Sequence, residues 1–324
     1  MGAFTKLGAT ELAEVAAAFE LGTVSRFEVI AAGTINSNFA LDTDRGRWFV
    51  RVNEGKAEAD VAWEARVVQA LAAGGVTTPP PMAGRDGRPY AALPGARGKW
   101  VSVFPWRAGK HLASTEITEA YAHELGVALA QLHQVGLTLP PTWRRGSIYD
   151  HDHLAARYAR FAMNVDPALQ HAIEVIGEEL SLAADAQSRR RRAVHGIIHG
   201  DLFRDNVLWD GPRVVAILDF EQASGGSLAY DLAVCINDWC WTGQPRIELA
   251  KALLDGYQTR RPLTAADREA LPIEVRAAAV RFTITRITDV YLARLTNPEK
   301  DFRAFLARCE AWRGPALAQL IAVL

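Results

Sequence analysis

The sequence predicts an α+β protein of two lobes, an N-terminal antiparallel sheet with a helix followed by a mainly helical C-terminal lobe. Three observations carry this. The chain is 324 residues long with 49% hydrophobic residues, more than one core usually holds. Period-two strand patterns separated by turn residues dominate up to about residue 105. From Thr115 onward the apolar spacing changes to nearly four, the period of helices packed on one another. The lobes are expected at 1–105 and 106–324.

In order, Thr10 to Leu21 places Leu12, Val15, Ala16 and Phe19 on one helical face, with Thr10 as a cap. Val24 to Ala31, Asn38 to Thr43 and Arg47 to Asn53 read as strands around turns at 33–37 and 44–46. Lys56 to Ala73 is helical, and Gly74-Gly75 then Pro79-Pro80-Pro81 end it. Strands follow around Arg88 to Leu93 and Lys99 to Phe104, and Pro105 to Gly109 breaks the pattern. Ile117, Tyr121, Leu125, Ala128, Leu129 and Leu132 then form one long helical stripe, ending at His133, expected to be a satisfied structural residue.

The formal charge of −1 gives no field for nucleic acid or an anionic membrane, so the expected partner is a small molecule, with oligomeric state left open. Three cysteines without paired spacing suit a reduced, cytoplasmic protein. No apolar run is long enough for a bilayer. His151-Asp152-His153 reads as a helix start rather than a Zn²⁺ site, and the basic run Arg189 to Arg192 carries no function.

The most informative stretch is His199-Gly200-Asp201-Leu202-Phe203-Arg204-Asp205-Asn206, followed by Leu218-Asp219-Phe220. Phosphoryl transfer needs a carboxylate beside the attacking hydroxyl and oxygen ligands for Mg²⁺. Asp201 suits the first role, Asn206 and Asp219 the second. The strand–turn–strand pattern of 207–218 would return Asp219 towards Asn206. In the N-terminal lobe, Arg51 interrupts the apolar run Trp48 to Val52 and needs an anion to offset its desolvation. Glu64 is the expected partner, Glu58 its competitor.

His-x-Asp-x-x-x-x-Asn with a later Asp-Phe resembles the protein-kinase-like fold in its aminoglycoside and choline kinase branch. His199 to Leu208, with Tyr230-Asp231 and Asn237-Asp238-Trp239-Cys240, resembles the homoserine kinases of that branch. The resemblance implies Mg²⁺ and ATP. It sets the loop at 33–38, through Thr34, Asn36 and Ser37, over the ATP phosphates, with Arg51 where kinases hold a phosphate-gripping lysine. It puts the backbone of Ser102, Val103 and Phe104 against adenine, and Asp231 beneath the catalytic loop. Phosphorylation of the L-homoserine hydroxyl follows as the expected activity. Arg204, Arg281 or Arg286 would clamp the substrate carboxylate, and Asp205, Asn237 or Asp238 its ammonium group. Alternatives are a kinase of another small hydroxyl compound, such as an amino alcohol or aminoglycoside, and a nucleotide-binding regulator without turnover.

Overall fold

The structure is a computed structural model and describes residues 5–30, 36–96, 98–295 and 300–324. The chain divides into two compact units, 1–109 with 215–221, and 110–214 with 222–324.

In the first unit α1 (Ala9–Ala18) precedes β1 (Val24–Ile30), β2 (Ser37–Thr43) and β3 (Gly46–Asn53). Next come α2 (Glu58–Ala73), β4 (Ala91–Ala92) and β5 (Trp100–Pro105). The strands form one antiparallel sheet in the order β1-β2-β3-β5-β4. Leu12, Val15, Ala16 and Phe19 of α1 share a buried cluster with Phe39, Leu41, Val50, Val52, Val101 and Val103, as the helical and strand periods require. Two local expectations need correction. The N-cap of α1 is Gly8, whose N–H donates to Glu11 Oε2 at 2.9 Å, and Thr10 lies inside the helix. The strand expected over Arg88 to Leu93 shortens to Ala91–Ala92. There the Asp86 carboxylate accepts from the Arg88 backbone N–H and Nε, turning the chain where a ladder would have begun.

The second unit begins with α3 (Glu119–Thr138), α4 (His151–Ala159), α5 (Pro167–Asp185) and α6 (Gln187–Arg192). The strands β6 (His195–Ile198), β7 (Val207–Asp210), β8 (Arg213–Ile217) and β9 (Ser224–Ser227) follow, and the chain enters the first unit within β8. β6 pairs antiparallel with β9. Then come α7 (Leu228–Trp239), α8 (Ile247–Gln258), α9 (Ala265–Arg286), α10 (Arg303–Ala311) and α11 (Pro315–Ala322). The α+β class and the change to helix after the sheet agree with the sequence. α3 and α8 cross at glycines: a Cβ on Gly126 would lie 2.1 Å from Leu253 O, and one on Gly256 2.0 Å from His123 O. Among the described residues no helix is long and apolar enough to cross a membrane.

Candidate active site

The candidate catalytic loop, His199 to Asn206, joins β6 to β7 in the second unit. Gly200 turns it at φ +77°, and a Cβ there would press on Gln222 O at 2.9 Å, so the position is built for glycine. Asp231 supports the turn from below. Its two carboxylate oxygens accept the His199 and Gly200 N–H groups, each at 2.7 Å. Its helix starts at Leu228 with Ser227 as N-cap, which excludes the rival N-cap role for Asp231. His133 Nε2 lies 3.0 Å from Asp231, and Nδ1 lies 2.7 Å from the Tyr257 hydroxyl. Burial lowers the His133 pKa despite Asp231. The neutral ring therefore donates from Nε2 to the carboxylate and accepts from Tyr257. His133 is structural, as expected.

Above this support Asp201 keeps its carboxylate partly open, with Oδ1 3.6 Å from Arg281 Nη1. The same guanidinium donates to Gly200 O and lies 4.1 Å from the Tyr149 and Phe282 rings. Its pKa is raised, because Tyr230, Asp201 and Tyr149 outweigh the burial that opposes the charge. Asn206 Nδ2 donates to Asp201 O at 2.8 Å. That bond orients the amide through Nδ2, so Oδ1 is the atom that can act as an acceptor, a hard oxygen suited to Mg²⁺.

Arg204 gives its backbone N–H and Nε to Asp238 Oδ2, at 2.9 and 3.1 Å, and Nη2 to Oδ1 at 3.3 Å. Asp205 forms no ion pair among the described residues. Desolvation, then Asp238 and Asp201, raise its pKa. Asn237 is fully buried. Its Nδ2 donates to Ala233 O and Val275 O, and its Oδ1 accepts from Trp312 Nε1. The expectation that Asn237 contacts substrate is therefore corrected: its amide has no free group, and it ties α7 to α9 and to Trp312. Arg286 donates to Asp301 O at 3.1 Å and lies 4.3 Å from the Phe305 ring.

The first unit holds a second charged cluster. Arg51 on β3 is 7% exposed. It reaches Glu64 of α2 at 2.5 Å and Asp219 Oδ1 at 3.6 Å. Burial opposes the Arg51 charge, but Glu64, Asp219 and Glu221 outweigh it and raise the pKa. Glu64 is held at about 2 against burial by Arg51 and Lys56. Glu58, the competitor, instead accepts from Arg88 and Tyr90. Sequence reasoning passed over two members of this cluster. Lys56 Nζ bridges Glu64 at 2.9 Å and Glu221 at 3.2 Å, and Glu221 also accepts from Asn36 Nδ2 at 2.8 Å. The signal available was Lys56 eight residues before Glu64, in the turn that enters its helix. Asp219 adopts φ +60° and keeps an accessible carboxylate, a further hard oxygen.

Of the other nucleotide positions, Thr34 lies outside the described residues. Asn36 Oδ1 accepts the Glu54 N–H, and Ser37 Oγ joins Glu54 and the Thr5 N–H, so both side chains serve the unit itself. Ser102 Oγ accepts from Asn53, Val103 O accepts from Met82 N–H, and Phe104 pairs with Phe49 across β3 and β5. A groove of about 850 Å³ in the second unit is lined by Arg189, Arg192, Arg276, Leu182, Ile273 and Leu317 among others. It contains none of these residues.

A family model for the phosphotransferase enzyme family matches residues 26–265, and the chain belongs to that family. Its relatives narrow the comparison. The chain is 36% identical to the homoserine kinase of Caulobacter sp. (strain K31), covering 89% of each protein. It is 35% identical to that of Azorhizobium caulinodans, covering 98% of each. The solved structure of the amicoumacin kinase hAmiN in complex with AMP-PNP, Ca²⁺ and Ami superposes with a TM-score of 0.73 at 14% identity, over 94% of this chain and 92% of that one. A microcompartment-associated aminopropanol kinase gives 0.69 at 20% identity, over 97% and 100%. These two show the fold.

Proposed function

We propose that the protein is a homoserine kinase, transferring the γ-phosphoryl group of ATP to the side-chain hydroxyl of L-homoserine to form O-phosphohomoserine, a step of threonine biosynthesis in the cytoplasm. The single observation that carries the reading is near-full-length identity of about one third to homoserine kinases. The open Asp201 carboxylate on a loop fixed by Asp231 supports it.

Asp201 receives the hydroxyl hydrogen bond and takes its proton as the new O–P bond forms, while the bond from γ-phosphorus to the bridging oxygen of the leaving ADP breaks. Arg281 keeps Asp201 in place by holding the preceding carbonyl. Arg51, oriented by Glu64, offers a permanent positive charge to the phosphates. Asn206 and Asp219 are the proposed Mg²⁺ ligands, each offering a hard oxygen. Held there, Mg²⁺ would supply neutralisation of the charge that develops on the phosphate oxygens.

The test is Mg²⁺-dependent ATP consumption with homoserine, serine, choline and an aminoglycoside in parallel. Homoserine is expected to give the highest kcat/KM by a wide margin. A higher value with any other acceptor, or none with all four, overturns the reading.

A further inference from the structure

Arg204, Arg286 and Arg308 gather around the short span of carboxylates beside the catalytic loop, and two of them form no ion pair among the described residues. Arg204 is consumed by Asp238, to which it gives three donors. Arg308, on α10, is 7% exposed, yet has no carboxylate within ion-pair distance among the described residues. Its Nε donates to Asn237 O at 2.6 Å and its Nη1 to Ala304 O, and Nη2 has no hydrogen bond to a described residue. Its planar head lies 4.7 Å from the Trp241 ring and 4.3 Å from that of Phe305. Arg286 uses the same Phe305 ring, also at 4.3 Å, and among the described residues its hydrogen bond goes to a carbonyl oxygen.

A buried guanidinium bound to carbonyl dipoles alone is short of negative charge. Desolvation and the nearby Arg286 and Arg204 lower Arg308 to about 10 against the pull of Asp238, and desolvation lowers Arg286. Because guanidinium keeps its proton in proteins, both heads stay charged despite that desolvation. The location is also specific. Phe305 stacks at 5.8 Å on Phe203, which stands in the loop between Asp201 and Asn206, and Asp201, Asp205 and Asp238 all act on the Arg286 charge.

We propose that Arg308 and Arg286, held on the Phe305 ring, form the receptor for the acceptor's α-carboxylate, while Asp205 takes its ammonium group. This rests on the homoserine reading and names the site that selects an α-amino acid over an amino alcohol. Arg204 and Asp238 neutralise each other and frame the site without carrying substrate charge. The planar fork of an arginine suits a carboxylate, and two of them give it both charge and direction.

The test compares kcat/KM for L-homoserine with that for 3-amino-1-propanol, which is homoserine without its carboxylate. In the wild type homoserine is strongly preferred. Arg308→Gln and Arg286→Gln are each expected to lower the ratio on the order of 10²-fold, mainly through the homoserine KM, and Arg308→Lys to recover part of it. A purely structural role for Arg308 lowers both acceptors equally and leaves the ratio in place, which overturns the proposal. Should Arg308→Gln fail to fold, the wild type decides. L-2-Aminobutyrate, which lacks only the hydroxyl, is expected to compete with homoserine far better than 1-propylamine. Equal inhibition by the two overturns the receptor. A wild type that prefers the amino alcohol overturns the homoserine reading itself, an outcome distinct from good homoserine turnover with an unaltered ratio in the variants.

Discussion

Two cations share Glu64, and that sharing makes its ionisation a measurable part of stability. The ordinary glutamate value of 4.5 falls to about 2 in the folded protein. A depressed carboxyl stabilises the fold fully above about 4.5 and loses that contribution as pH falls from 4.5 towards 2. Glu64→Gln leaves Arg51 to Asp219 and Lys56 to Glu221 at neutral pH and should cost about 1.5–3 kcal/mol, read as a lower urea midpoint at pH 7. The variant should also lose less stability than the wild type between pH 4.5 and 2, and parallel acid limbs would contradict the assignment. Asp201 has a kinetic signature instead. Asp201→Asn preserves volume and leaves the Asp231 support intact, so folding and nucleotide binding should persist while kcat falls on the order of 10²-fold or more. Unaltered turnover would remove Asp201 from the base role.

Among the elements, α3 and α8 approach where neither helix carries a side chain. With ideal Cβ positions about 2 Å from the facing backbone oxygens, Gly126→Ala or Gly256→Ala must push the helices apart. Each should destabilise by roughly 1–3 kcal/mol or more, seen as a lower Tm. The effect should reach the active site, because α3 carries His133 and α8 carries Tyr257, the two groups that lock Asp231 under the loop. A variant with full Tm would show that the crossing yields without strain. The period-four stripe of α3 was legible in the sequence, but Gly126 reads there only as a weak point in a helix. Its use depends on a residue 130 positions away.

For the whole molecule, the division of the chain makes a strong demand. Residues 215–221 return to the first unit, where Ile217 N–H donates to Thr77 O at 2.7 Å and where Asp219 and Glu221 face Arg51 and Lys56. A fragment of 1–109 alone keeps the sheet but leaves these cations short of two carboxylates. Appending 215–221 through a flexible linker should raise its urea midpoint, and an equal midpoint would mean that the segment contributes nothing to that unit. The wild-type protein should also gain about 2.7 kcal/mol from a nucleotide present at 100 times its Kd, measured by thermal shift.

The sequence by itself determined the α+β class and the strand and helix periods, and it singled out Asp201, Asn206 and Asp219 as candidates. Each of these is written locally, in a period or in a motif a few residues long. Arg51 with Glu64 was also legible, because a lone charge in an apolar strand demands a partner on the next helix. Tertiary structure alone decided which charges are satisfied. It closed Asn237 into the core, spent Arg204 on Asp238, gave Lys56 two carboxylates, and left Arg308 with none among the described residues. The physical reason is that burial and counter-charge depend on neighbours distant in sequence: Arg308 binds a carbonyl 71 residues away, and no local pattern encodes that meeting.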